Sequence, residues 1–172
     1  MIYRIKQFFW GITSFFYKDD VIFLDKYLTE LEKKLFMKMR KSDRAHSFRV
    51  CKEAIESINN YKNIESIEEK KMAKCALLHD IGKVSCSLNT IEKALVIIIN
   101  KLTVGRFLKY NKSKRINNYY NHPVLGKEML EEIGVYDSDI LYCIENHHNT
   151  TINRMDEDNL YLKVLIICDD QN

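Results

Sequence analysis

The chain is 172 residues long, 46% hydrophobic and 30% charged, with a formal net charge of +3 at pH 7. That length suits one domain with a sizeable core, and the balance is ordinary for a soluble globular protein. The charge alone makes no case for nucleic acid, one Pro and five Gly disfavour a turn-rich all-β fold, and five cysteines without a CxxC spacing give no support to a zinc finger or a disulfide frame. The cysteines sit in apolar helical stretches and read as small buried side chains in a reducing cytosol, so a cytoplasmic location is expected.

Residues 1–17 are aromatic-rich, and Ile2, Ile5, Phe9, Ile12 and Phe16 recur at helical spacing. Lys6 and Gln7 interrupt the apolar run and no small-residue cleavage site follows, which argues against a secretory leader. The expectation is a helix packed on its own domain or on a second copy of the chain. An interfacial membrane anchor, suggested by Trp10, Arg4 and Lys6, is the less favoured alternative. Residues 19–41 hold two more helical pieces, the second opened by a Thr29–Glu32 capping box. Residues 1–41 thus read as a helical extension, and 42–172 as the main domain.

Ser42 or Asp43 is expected to cap a helix on which His46 shares a face with Val50, Ala54 and Ile58. Ser66 and Glu69 form a second capping box for a helix ending in Cys75-Ala76-Leu77-Leu78-His79-Asp80-Ile81-Gly82-Lys83, with Gly82 as its stop signal. An imidazole beside a carboxylate at a fraying helix end suits a divalent transition metal. Asn89 or Thr90 opens a helix whose run Ala94–Ile99 reads as buried core, too short to span a membrane. Arg106, Lys109, Lys112, Lys114 and Arg115, with Tyr110 among them, read most simply as a solvated loop. The same run could bind nucleic acid, or form a flap whose cations face a phosphorylated substrate.

His122-Pro123 places His122 at a helix N-cap with Pro next, and Gly134 ends that helix. Ser138 starts a helix on which Ile140, Cys143, Ile144 and His147 share a face, with His148 adjacent. Asp156 or Asp158 starts the last helix, where Asp169 falls in phase with Leu162, Leu165 and Ile166 while Asp170 faces outward. The fold class is all-α, about seven or eight helices, with candidate ligands converging from several of them.

All five histidines thus take part in one ordered set: His46, His79-Asp80, His122, His147-His148, Asp169. This order resembles the HD superfamily of metal-dependent phosphohydrolases, in its HDIG form. Arg44-Ala45-His46-Ser47 resembles the first-histidine helix, Leu77 to Lys83 the name-giving segment, His122-Pro123-Val124-Leu125-Gly126 the HPxxG segment, and Glu145-Asn146-His147-His148 the paired histidines of the two-metal branch. Ile167-Cys168-Asp169 resembles the closing aspartate.

The resemblance implies an HD-domain helical bundle that hydrolyses a phosphoester, a nucleotide or a related mono- or diester. It implies His46, His79, Asp80 and Asp169 on a first ion, and Asp80 again with His122, His147 and His148 on a second. The ions would be Fe, Mn, Ni, Mg or Zn. Asp80 and Lys83 would be catalytic, with Lys83, Arg49 and Asn149 facing the substrate. Lys83 could instead be a cation complementing a helix dipole. The cyclic dinucleotide branch carries a Gly-Tyr-Pro segment soon after the paired histidines, whereas here Asn149-Thr150-Thr151-Ile152-Asn153-Arg154 follows His148 with neither Gly nor Pro, so cyclic (di)nucleotide phosphodiesterase activity is a secondary alternative. A non-catalytic signalling or ligand-sensing module is another. Expected partners are a phosphorylated small molecule or nucleotide, and a second copy of the chain; nucleic acid is not expected.

Overall fold

A ten-residue helix, Glu69–Leu78, sits at the centre of the computed structural model. Its Met72, Ala73, Cys75, Ala76, Leu77 and Leu78 are all fully buried. A helix that is apolar around most of its circumference must be surrounded by others, and this one is. The model describes residues 17–60, 67–85, 88, 90–149 and 158–172. Among them are ten α-helices, one 3₁₀ helix and no strand.

In chain order the helices are α1 (Val21–Tyr27), α2 (Glu30–Phe36), α3 (Lys41–Asn60), α4 (Glu69–Leu78), the 3₁₀ helix (Ile81–Ser85), α5 (Thr90–Leu102), α6 (Arg106–Tyr110), α7 (Lys114–Tyr120), α8 (His122–Ile133), α9 (Ser138–Asn146) and α10 (Leu160–Gln171). Helices α3, α9 and α10 pack around α4, and α8 lies across the 3₁₀ helix and α9. Leu24, Tyr27, Leu28 and Phe36 of the first two helices and Met39 after them join the same hydrophobic core.

The Thr29 capping box forms as the sequence predicts. The Glu32 N–H donates to Thr29 Oγ1 and the Thr29 N–H donates to Glu32 Oε2. Glu32 is almost fully buried and also accepts from Lys74 Nζ at 2.6 and 2.9 Å. Arg44 forks onto Asp19 at 2.8 and 2.9 Å, tying α3 to the segment before α1.

Several helix starts differ from the sequence reading. Helix α3 begins at Lys41, so Ser42 and Asp43 lie in its first turn. Helix α4 takes Glu68 as N-cap, with no side-chain cap bond, and Ser66 lies outside the described residues. His122 is the first helical residue of α8, with Asn121 as N-cap. Helix α9 does start at Ser138 as expected, with Asp137 as its N-cap, whereas Asn159 caps α10 in place of Asp156 or Asp158. The region 106–115 contributes to two short helices, α6 and α7, where a loop was expected. Helix α5 is not a buried core helix: only Val96 is buried among its described side chains, while Leu95, Ile98 and Leu102 are exposed. A continuous apolar run does not reveal which side a helix turns inward.

Gly82 also differs. It lies within the 3₁₀ helix, where an added Cβ would meet the His122 carbonyl oxygen at 2.0 Å. Its role is close backbone approach between two elements. The expected packing of residues 1–16 lies outside the described residues, although Tyr17 rests against Phe48 with ring centroids 5.8 Å apart. No helix among the described residues is long and apolar enough to cross a membrane.

Candidate metal centre

Three of the histidines are set by one local device. The last carbonyls of a helix have no intrahelical partner. His79 is the C-cap of α4, and its Nδ1–H donates to the Ala76 carbonyl at 2.8 Å. His147 is the C-cap of α9 and donates in the same way to Ile144 at 2.8 Å. His122 follows the end of α7 and donates to Tyr119 at 2.7 Å. In each case a carbonyl three residues back accepts from Nδ1–H and fixes the ring, turning Nε2 toward the site.

These Nε2 atoms converge on Asp80, which is fully buried. Asp80 Oδ1 faces His122 Nε2 at 3.1 Å and His147 Nε2 at 3.8 Å. Asp80 Oδ2 faces His79 Nε2 at 3.4 Å and His46 Nε2 at 3.8 Å. Lys83 Nζ also reaches Oδ2. Asp169, from α10, brings Oδ1 to His46 at 2.8 Å and to His79 at 3.6 Å. His148 is half exposed, with Nδ1 3.9 Å from Asp169 Oδ2 and its ring centroid 4.2 Å from that of His147.

The charges are strongly coupled. Burial pushes the His79 imidazolium toward neutrality, but Asp80 and Asp169 outweigh it and raise its pKa to about 10. Burial works against the Asp80 carboxylate as well, and Lys83 and His79 nevertheless hold it well below the usual range. Lys83 is likewise opposed by burial and raised by Asp80 and Asp43. Burial lowers His147 to about 4.

Two groups of side chains bring one potential ligand atom each to within 4.8 Å of one another: Asp80, His122, His147 and His148, and separately His46, His79 and Asp169. Within them His79 Nε2 and Asp80 Oδ1 are buried without a hydrogen-bond partner. Buried polar atoms left unpaired are costly and call for an explanation. A cation held by each group would remove the cost, and a mixed imidazole and carboxylate set suits a divalent transition metal.

All seven candidate ligands predicted from sequence are therefore brought together, and Lys83 lies beside them. Arg49 is half buried and its charge interacts with Tyr17. Asn149 is exposed and its side-chain amide donates to Asn146 Oδ1 at 3.1 Å.

Two residues near Lys83 were not singled out from the sequence. Asp43 is buried and its charge acts on Lys83, as does the Tyr119 hydroxyl. A signal for Asp43 existed, because it precedes His46 by three residues and so shares its helix face. Tyr119 carried none, because its position depends on how α7 meets α8.

The HD domain family model matches residues 44–170, and the chain belongs to that family. The family falls in the superfamily of metal-dependent phosphohydrolases; its members are generally hydrolases and bind divalent metals. No curated protein and no solved structure matches the chain at a significant level.

Proposed function

We propose that this protein hydrolyses a phosphoester, a nucleotide or a related mono- or diester, at a centre of two divalent ions. The observation that carries this reading is the division of Asp80: Oδ1 faces His122 and His147, while Oδ2 faces His46 and His79. A carboxylate with a separate imidazole pair on each oxygen would serve both groups of ligands at once. His46, His79, Asp80 and Asp169 would hold the first ion, and Asp80, His122, His147 and His148 the second. When bound, such ions neutralise phosphate charge and activate water for attack on phosphorus. In such a hydrolysis the water oxygen would bond to phosphorus as the ester P–O bond breaks, and the proton given up by water would end on the leaving alkoxide oxygen.

Lys83 stays protonated beside Asp80 and supplies a fixed positive charge for a phosphate oxygen. The carbonyls of Ala76, Tyr119 and Ile144 orient the imidazoles, so these residues act by positioning. Among the described residues Cys51, Cys75, Cys143 and Cys168 are buried free thiols, which supports a reducing, cytoplasmic location.

The test is metal content together with turnover of generic phosphomono- and diesters and a nucleotide panel, supplied with Mn²⁺, Fe²⁺, Ni²⁺, Zn²⁺ or Mg²⁺. About two ions per chain are expected. Asp80→Ala should lose both and all hydrolysis while remaining helical. Full hydrolysis by that variant would remove Asp80, and the two-ion reading, from consideration.

A further inference from the structure

Helix α5 leaves an apolar stripe uncovered. Leu95 and Ile98 are half exposed and Leu102 is 77% exposed, at spacings of three and four that place them along one side. Val104, just past the helix end, is 89% exposed. Its backbone has φ 50°, the left-handed region, where a β-branched residue is strained. No burial of this side chain offsets that strain within the chain.

The charge distribution is as uneven as the apolar one. Residues 90–115 contain seven of the 27 Lys and Arg but only one of the 24 Asp and Glu, a net +6. Elsewhere twenty basic residues stand against twenty-three acidic, a net −3. Lys101, Arg106, Lys112 and Lys114 are exposed.

We propose that residues 90–115 dock this protein on an anionic lipid bilayer, with α5 lying in the plane of the surface and Leu95, Ile98, Leu102 and Val104 entering the headgroup boundary. An apolar stripe accompanied by cations supplies both contributions such binding needs, area for the acyl boundary and charge for anionic headgroups. Nucleic acid would engage the cations and leave the stripe in water. A second copy would cover the stripe but bring one +6 segment against another, a repulsive arrangement. The thirteen residues of α5 are too few to span a bilayer, so the attachment is peripheral.

The surface connects to the proposed site through α7. Helix α7 follows it, Asn118 Nδ2 donates to the Ser85 carbonyl of the 3₁₀ helix at 3.1 Å, and the Tyr119 carbonyl holds His122.

Co-sedimentation of the full chain with vesicles of phosphatidylcholine, with and without phosphatidylglycerol, tests this. Binding is expected only to the anionic vesicles, weakening at least about ten-fold as salt rises from about 50 to about 500 mM. Leu102→Asp with Val104→Asp, and separately Lys101→Glu with Arg106→Glu, should each weaken it about ten-fold or more while metal content and helicity stay at parental values. Absence of binding to anionic vesicles overturns the proposal. So does binding that survives both double variants, which would place the contact elsewhere, as in residues 1–16. A dimer abolished by Leu102→Asp with Val104→Asp, without vesicle binding, would assign the stripe to a second copy. Binding of single-stranded RNA lost only in Lys101→Glu with Arg106→Glu, again without vesicle binding, would assign the segment to nucleic acid.

Discussion

Gly82 and His122 meet backbone to backbone. A Cβ at position 82 would lie 2.0 Å from the His122 carbonyl oxygen and 2.6 Å from the Gly126 nitrogen. The 3₁₀ helix that carries Lys83 can therefore lie this close to α8 only through a residue without a side chain. Both neighbours are backbone atoms, so neither can rotate aside. Gly82→Ala is predicted to force α8 outward, lowering stability by about 2 kcal/mol or more and drawing His122 away from Asp80. Thermal unfolding and metal counting would read both effects. A parental melting temperature with undiminished metal would mean that the two elements separate at no cost.

Metal loading should expel a proton from His79. In the metal-free protein His79 stays protonated up to about pH 10, because Asp80 and Asp169 outweigh the effect of burial. An ion that takes Nε2 must displace that proton. Titration calorimetry near pH 8.5, in buffers of different ionisation enthalpy, should show about one proton released from His79 per loading event. His147, neutral above about 4, adds none there. The sign for the metal-free fold follows from the raised value. The His79 contribution is fully present below its ordinary pKa of 6.5 and is lost as pH rises through about 10. A count of zero near pH 8.5 would strike His79 from the ligand set.

Lys83→Met separates two roles for that cation. If Lys83 faces a phosphate oxygen, turnover falls about 100-fold or more while both ions are retained, since the variant removes a competitor for Asp80 Oδ2. If it only complements a helix end, turnover stays near parental and stability drops by less than about 1 kcal/mol. Steady-state kinetics beside a metal count decide between them.

The Glu32–Lys74 pair, outside the candidate ligand set, is predicted to matter for stability. Burial disfavours the Glu32 carboxylate, but Lys74 and the Thr29 backbone outweigh it and lower its pKa. Its contribution is therefore present above the ordinary value of 4.5 and lost as pH falls. Lys74→Met leaves a buried carboxylate without its cation and should cost about 3 kcal/mol at neutral pH. Lys74→Met combined with Glu32→Gln should recover much of that loss. A double variant less stable than the single would show that the cost lies in packing around the Lys74 stem.

The sequence carried the site more clearly than the fold around it. His46, His79, Asp80, His122, His147, His148 and Asp169 were legible because ligand chemistry restricts residue type and their order was complete. Asp169 could be separated from Asp170 because helix phase against Leu162, Leu165 and Ile166 is unambiguous. Helix starts at α3, α4 and α10 were misread because Ser, Asp and Asn crowd those boundaries and only tertiary packing chooses among them. The Ala94–Ile99 run misled for a related reason: six consecutive apolar residues define no single face. Gly82 looked like a helix stop because its neighbour across the chain, His122, lies forty positions away.

His46 and Asp169 meet at 2.8 Å although 123 positions separate them. An ion shared by these two residues would close a loop through most of the chain, as a cross-link does. Closing so long a loop costs an entropy that grows only logarithmically with its length, so one well-held ion can offset it. Ion binding and folding then form a single equilibrium. The free ion concentration around the protein, as much as temperature, would set how long its first and last domain helices stay clasped.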